Sequence, residues 1–227
     1  MSDTLITAML LVPALVIAIV FHEVAHGWMA LVLGDPTAKE RRRLSLNPIR
    51  HVDPMGTLVV PGLLALSGGP IFGWAKPVPV IKQRLDNPRF GMMAVAAAGP
   101  GTNFILAAIG AIVLGLIAPS VAVAPGAEPG YVVQALVYFL LINIFLGVFN
   151  LLPIPPFDGS HIFEGLLPRS WAAAYDKLRP LGMVFFLALV AVEWFAPQWG
   201  VLRNTIGVPV DWALQKYLAL ADAIARA

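Results

Sequence analysis

Two histidines four residues apart, with a glutamate between them, are the residues of this sequence best suited to chemistry. His22, Glu23 and His26 belong to the pentapeptide His-Glu-Val-Ala-His. Residues i and i+4 of an α-helix lie on one face, so both imidazoles can bind one metal ion. Glu23 is near enough to deprotonate a water molecule on that metal. The spacing predicts a metal site with an adjacent general base.

A third ligand is expected from the second half of the chain, because catalytic zinc has three protein ligands. Asn150 is followed by prolines at 153, 155 and 156, which prevent a helix from continuing, and Asp158 comes directly after this break. We predict Asp158 as the third ligand. His161 is a rival ligand, although an interfacial role is favoured for it. Glu164 could act as the glutamate ligand of soluble zinc proteases, but Asp158 fits the proline break better.

The composition indicates an integral membrane protein. Of the 227 residues, 59% are hydrophobic and 12% are charged, about half the charge of a typical soluble domain. The histidine motif lies inside the apolar run 5–33, which is long enough to cross a bilayer. Ionisable groups at that depth usually mark a functional site. The chain has no cysteine, which excludes thiolate ligands and disulfides. The basic residues flank apolar runs, so membrane topology explains them better than nucleic-acid binding.

The charge pattern predicts four spans and one re-entrant element. Apolar runs occupy about 5–33, 55–72, 91–118, 131–152 and 181–199. The segments on both sides of 55–72 are strongly basic, and short basic loops favour the cytoplasm. The proline- and glycine-rich run 55–72 therefore enters and leaves the same face, and the N-terminus lies outside. Spans 5–33 and 131–152 then run in the same direction, so their C-terminal halves lie at similar depth.

The remaining segments are expected to be peripheral. Apolar residues recur at helical spacing over 208–224, which favours an interfacial amphipathic helix after the fourth span. Prolines in 74–81 favour a short β element. The region 55–81 could then offer a strand edge to an unwound substrate or simply plug a cavity. Arg41, Arg42 and Arg43 are interpreted as topology determinants, and His51 and Asp53 as loop residues. The predicted fold class is an all-α multi-pass membrane protein, with about four transmembrane helices around a zinc site.

Three motifs together resemble the site-2 protease family of intramembrane zinc metalloproteases. They are HEVAH, Ala98-Gly-Pro-Gly-Thr-Asn103 and Asn150-Leu-Leu-Pro-Ile-Pro-Pro-Phe-Asp-Gly159, in the family's order. The resemblance implies one zinc ion per chain, with His22, His26 and Asp158 as ligands and Glu23 as catalytic base. It also implies that Asn150 contacts the substrate backbone or the developing oxyanion. Asn103 is a candidate for substrate binding or simple packing.

The resemblance implies that the chain is a compact member without PDZ or CBS domains. We predict a single membrane-embedded protease domain over 1–227. Its core covers about 5–165, the re-entrant element about 55–81, and the C-terminal span and interfacial helix about 181–227. The expected partners are a transmembrane protein substrate and the lipid bilayer, not nucleic acid. The active site is expected towards the cytoplasmic side of the cell (plasma or inner) membrane.

Other function classes stay open at this point. The chain could hold zinc without catalysis, or bind transmembrane helices as a chaperone does. Glu23 argues against a purely structural zinc site, which needs no carboxylate beside its ligand. Metal transport is weaker, because transporters usually carry several polar spans.

Overall fold

The computed structural model describes residues 3–67, 73–121 and 130–226, and these contain α-helices and no β-strand. The α-helices are α1 Asp3–Val32, α2 Thr37–Glu40, α3 Val60–Ser67, α4 Pro88–Ile117, α5 Tyr131–Asn150, α6 Asp158–Leu166, α7 Arg169–Asp176, α8 Gly182–Phe195 and α9 Val208–Ala225. Two π-helical segments, Pro54–Val59 and Arg203–Gly207, precede α3 and α9 directly. Short 3₁₀ segments are Pro48–His51, Lys82–Arg84, Ala118–Val121, Arg179–Leu181 and Pro197–Trp199.

Four helical stretches of the described residues are long and apolar enough to cross a membrane. They are Thr4–Val32, Pro88–Ile117, Tyr131–Asn150 and Arg169–Phe195. The four-span prediction is confirmed by length and composition. Local signals define the ends of these helices. Asn87 caps α4 by accepting a hydrogen bond from the amide of Phe90 at 3.2 Å, with proline at the first helical position. The predicted proline break is confirmed, since α5 ends at Asn150 and α6 begins at Asp158.

Helices α1, α4 and α5 form the part of the bundle that positions the site. The side chain of His22 meets Asn103 and that of His26 meets the carbonyl of Val95, so α1 and α4 are antiparallel. Asn103 also contacts Ala18 of α1 and Asn143 of α5. Gly110 of α4 lies against Leu140 and Phe104 of α4 lies against Gly147, so α5 is antiparallel to α4 and runs in the same direction as α1. Their C-terminal halves therefore lie at similar depth, as the charge pattern predicted.

The structure shows that protein covers the apolar face of the C-terminal helix, whose interfacial placement stays a prediction. Helix α9 is amphipathic, but its apolar face packs lengthwise against α4 and α5 in one hydrophobic cluster. Tyr217 donates to the carbonyl of Phe104 at 3.1 Å, and Ala221 lies against Gly115 near the other end of α4. Buried Val210 and Ala221 anchor this face. Helical spacing predicted the face correctly, but it could not tell whether protein or lipid covers it.

The segment 55–81 is only partly described. Residues 55–67 are helical, and the re-entrant path through 68–72 lies outside the described residues. Residues 73–81 have no regular secondary structure, so the short β element is not confirmed. We call residues 74–81 the strap, because this segment lies across the end of α1 that carries the histidine motif.

Candidate active site

Three side chains from two segments that are far apart in the sequence meet at one point. His22 Nε2 and His26 Nε2 lie 3.0 Å apart. Asp158 Oδ2 lies 3.1 Å from the first and 3.3 Å from the second. The histidines are 7% and 9% exposed, and the carboxylate side chain of Asp158 is 21% exposed. Among the described residues, this is the group of histidine and acidic side chains arranged to share a metal ion.

Hydrogen bonds determine which nitrogen of each imidazole carries the proton. His22 Nδ1 lies 2.7 Å from the amide oxygen of Asn103, and His26 Nδ1 lies 2.7 Å from the carbonyl of Val95. Both partners can only accept, so each Nδ1 donates. In the neutral rings, both Nε2 atoms then carry lone pairs that face each other and Asp158. A donated Nδ1–H is the usual arrangement of a metal-binding histidine.

This donor set fits a zinc ion. Two lone pairs and a carboxylate oxygen converge, and Asp158 Oδ2 is buried with no hydrogen-bond partner among the described residues. Ligand atoms about 2.0–2.1 Å from a tetrahedral zinc lie roughly 3.3–3.4 Å from one another. The observed separations of 3.0–3.3 Å are close to that spacing. Three protein ligands leave a fourth position for water or substrate.

A glycine of α4 lets both imidazoles approach that helix. A Cβ at Gly99 would lie 2.5 Å from the His26 ring and 2.6 Å from the His22 ring, whereas a Cβ at Gly101 would meet nothing within 4 Å. Gly99 makes room for the two rings, and Gly101 faces open space.

The position of Asp158 depends on how α6 is held. Asp158 occupies the first turn of α6, and a Cβ at the next residue, Gly159, would overlap the carbonyl of Leu151. At the other end of α6, the guanidinium of Arg89 donates to the carbonyls of Gly165, at 3.0 Å, and Leu167. These contacts fix α6 against the start of α4 at one end and the end of α5 at the other.

The rival ligands are engaged elsewhere. Glu164 is paired with Lys82, at 2.9 Å, and with Arg179. Burial alone would raise the pKa of Glu164, but the hydrogen bonds from Lys82 and Arg179 outweigh it and lower the pKa. His161 Nε2 lies 2.9 Å from an Arg179 nitrogen. Burial, together with the nearby Arg179 charge, lowers the pKa of His161 to about 4. Neither side chain joins the three ligand atoms.

Comparison with known proteins identifies the family. The chain is 38% identical over 179 residues to a Bacillus subtilis (strain 168) protein named "Putative zinc metalloprotease YwhC", covering 79% of this chain and 78% of the relative. Residues 115–192, which include Asp158, match Peptidase family M50. The chain belongs to the M50 family. It is therefore a zinc metalloprotease, and its four long apolar helices make it an integral membrane protein.

More distant relatives agree with this assignment. A Mycolicibacterium smegmatis protein named "Putative zinc metalloprotease Rip2" is 26% identical over 192 residues, covering 82% of this chain and 70% of the relative. No solved structure matches the chain.

The strap contacts Glu23, the candidate general base of this M50 protease. The backbone N–H of Val78 donates to Glu23 Oε2 at 2.8 Å. Arg43 holds the strap by donating to the carbonyl of Lys76 at 2.5 Å, and it is buried. The interpretation of Arg43 as a topology determinant therefore missed a structural role. The strap orients one oxygen of the Glu23 carboxylate.

The far end of the strap is held by a buried acid that sequence analysis did not single out. Asp35 is 0% exposed and accepts from the amides of Thr37, at 3.0 Å, and Ile81, at 2.6 Å. Burial would raise the pKa of Asp35, but the hydrogen bonds from Thr37 and Ile81 outweigh it and lower the pKa. Asp35 lies directly after a span and beside Gly34, a position typical of an ordinary turn.

The asparagines differ in their relation to the site. Asn103 is 0% exposed, and its amide contacts His22, Ala18 and Asn143. Its assignment to substrate binding stays a prediction. Asn150 donates to the carbonyl of Leu146 at 3.0 Å, and its substrate contact stays a prediction. Asn143 was missed, although an asparagine inside an apolar span is itself a signal of function.

Proposed function

We propose that this M50 protease hydrolyses peptide bonds within or near transmembrane segments of other membrane proteins. The observation that carries the proposal is the meeting of His22 Nε2, His26 Nε2 and Asp158 Oδ2 within 3.3 Å, inside a bundle of apolar helices. His22 lies ten residues before the end of α1, which is about 15 Å along a helix. A site at that depth can reach a bond that the bilayer shields from soluble proteases.

Each residue of the site has a part in this proposal. His22, His26 and Asp158 would hold one zinc ion, which when bound polarises the scissile carbonyl and makes water more acidic. Glu23 takes the proton of the attacking water and delivers it to the leaving amine as the C–N bond breaks. The Val78 N–H holds Glu23 Oε2, which leaves Oε1 to exchange the proton. Asn150 is proposed to contact the substrate backbone or the oxyanion.

The proposed setting is one membrane-embedded domain over 1–227, with the active site towards the cytoplasmic face of the cell membrane. The basic segments 34–50 and 73–89 adjoin the site-bearing end of α1 and the start of α4. Basic short loops favour the cytoplasm, so the site opens towards that side. A transmembrane substrate has to unwind locally before attack, because a helix shields its peptide bonds.

Glu23→Gln tests the proposed base. The full chain is reconstituted in vesicles with a synthetic transmembrane peptide, and both zinc content and cleavage are measured. Glu23→Gln should keep its zinc and lose about 10²–10⁴-fold in cleavage rate. Glu40→Gln is the matched control, since Glu40 is exposed and paired with Arg84 away from the site. Full activity of Glu23→Gln would refute the base.

The position of the cut tests the substrate class. Mass spectrometry of the products should place the cleaved bond inside the hydrophobic stretch of the peptide or at its edge. Cleavage confined to soluble loops would contradict intramembrane proteolysis while leaving the metalloprotease assignment intact. Peptide capture without cleavage, in the zinc-loaded wild type, would favour the alternative of a helix-binding protein.

A further inference from the structure

Asn143 is a polar side chain in the middle of an apolar helix. It lies in the stretch Phe139-Leu-Leu-Ile-Asn-Ile-Phe-Leu of α5 and is 0% exposed. A polar side chain at membrane depth is costly unless its hydrogen bonds are made within the protein. Its amide nitrogen donates to the carbonyl of Phe139 at 2.8 Å. Its amide oxygen accepts from Asn103 at 3.0 Å. Asn143 touches neither the three ligand atoms nor Glu23 in the contacts that the structure describes.

The backbone fixes the direction of every hydrogen bond in this chain of amides. The carbonyl of Phe139 can only accept, so the Asn143 nitrogen must face it and the Asn143 oxygen must face Asn103. The Asn103 nitrogen then donates to this oxygen and, at 3.2 Å, to the carbonyl of Ala18. Flipping the Asn103 amide would place its oxygen against two other acceptors. The Asn103 oxygen is therefore left to face His22.

We propose that Asn143 is a positioning residue of the metal centre, which acts through Asn103 to set the tautomer and ring orientation of His22. The proposal rests on the proposed centre of His22, His26 and Asp158. With the Asn103 oxygen fixed, His22 carries its proton on Nδ1 and presents the Nε2 lone pair to the metal position. We call Asn143, Asn103 and His22 the amide relay.

The second histidine shows why a relay is needed. His26 donates directly to the carbonyl of Val95, and a backbone carbonyl cannot turn over. His22 donates to a side-chain amide, whose oxygen and nitrogen could exchange places by rotation about one bond. Without a further contact, Asn103 could present either end to His22. Asn143, together with the carbonyl of Ala18, removes that freedom.

A simpler role for Asn143 is to join α4 and α5 by an interhelical hydrogen bond. That role predicts lower stability without a change at the metal. Ile144→Ala is the matched control, because Ile144 is the next residue on α5, is 0% exposed, and packs towards the α9 side. Both truncations create a cavity in the same helix, but only Asn143→Ala breaks the relay.

Zinc affinity of the full chain, measured by chelator competition in detergent, distinguishes the two roles. Asn143→Ala should bind zinc about 10–100-fold more weakly, the range for loss of an outer partner of a metal-binding histidine. Ile144→Ala should bind as the wild type does. Asn143→Asp should recover most of the affinity, because a neutral buried carboxylic acid can donate to Phe139 and accept from Asn103. Equal affinity of Asn143→Ala and Ile144→Ala would overturn the proposal.

A second measurement needs no variant. Ring ¹⁵N chemical shifts of the metal-free wild type report which nitrogen of each histidine is protonated. His22 should carry a proton on Nδ1, and a His22 protonated at Nε2 but not at Nδ1 would overturn the relay. His22→Ala separates this failure from failure of the centre. If His22→Ala keeps the zinc affinity of the wild type, the proposed metal centre itself is wrong. If it loses zinc while Asn143→Ala does not, only the relay is wrong.

Discussion

The imidazole half and the carboxylate half of the site are held by different kinds of interaction. Both histidines are positioned by neutral partners inside the helix bundle, an amide for His22 and a backbone carbonyl for His26. Asp158 sits on α6, which is held by charged side chains. Glu164 of α6 is paired with Lys82 and Arg179. Arg89 donates to the last carbonyls of α6.

The difference follows from the surroundings of each half. A charge in the interior of a bilayer is costly, so neutral hydrogen bonds do the positioning there. At the end of the bundle that carries α6, side chains such as Lys82 are partly exposed, and water can solvate charges. We therefore expect salt and pH to affect the carboxylate half, while the imidazole half responds mainly to changes of shape and of hydrogen bonding.

The largest effect is expected from removing a ligand on either side. His22→Ala and Asp158→Ala should each lose more zinc affinity than the 10–100-fold range for an outer partner. Titration with a chelator measures both affinities. His51→Ala is the control, because His51 Nε2 lies 2.8 Å from the carbonyl oxygen of Ser45 and takes no part in the site. If either ligand variant binds zinc like the control, that half does not contribute to the centre.

The next effect concerns the shape of the imidazole half. Gly99→Ala should displace both rings and greatly weaken zinc binding, because its Cβ would lie 2.5 Å from the His26 ring. Gly101→Ala on the same helix has open space around its Cβ and should keep the affinity, with a stability equal to or above the wild type. The zinc affinities of the two variants test whether the imidazole rings pack against Gly99. Equal affinities would show that the rings do not pack against Gly99.

A smaller effect is expected from loosening the carboxylate half. Glu164→Gln should lower the free energy of unfolding by about 1–3 kcal/mol, because Lys82 loses its carboxylate partner and Arg179 keeps only Asp176. Raising the salt concentration should reduce the difference from wild type. Glu40→Gln removes an exposed pair and should cost at most about 1 kcal/mol. Chemical denaturation measures these values, and equal losses in the two variants would remove the proposed importance of the charged cluster.

A further effect on stability is a pH dependence from His161. The pKa of this histidine is lowered to about 4 in the folded chain, against 6.5 for the free side chain. Between these values the unfolded chain binds more protons, so stability falls as pH is lowered from 6.5 towards 4. His161→Gln should flatten this slope over pH 6.5 to 5, above the range in which carboxylates titrate. Thermal unfolding at several pH values measures it, and identical slopes would contradict a partly buried, neutral His161.

Sequence patterns predicted the parts of the site that depend on spacing along the chain. The i, i+4 relation of His22 and His26 and the proline break before Asp158 were both readable. The depth match between their helices followed from the distribution of basic residues. These signals are residue spacings, proline positions and counts of basic residues in each loop. All of them can be obtained from a single sequence.

What was missed depends on contacts between distant segments. Nothing near Arg43 in the sequence indicates that it bonds strap carbonyls more than 30 residues later, and Val78 contributes only a backbone N–H, which leaves no sequence signal. The sequence predicted the apolar face of α9. It could not predict whether protein or lipid contacts that face, because both environments select the same apolar residues. Asn143 did carry a signal, as an isolated amide in an apolar span, but only the structure shows its partner.

X-ray absorption spectroscopy at the zinc edge of the reconstituted wild-type chain tests the central claim most directly. The account predicts one zinc per chain with two imidazole nitrogens at about 2.0–2.1 Å and the remaining ligands oxygen. A centre with three imidazoles would bring in His51 or His161, and one with none would exclude His22 and His26. Either result would contradict the site described.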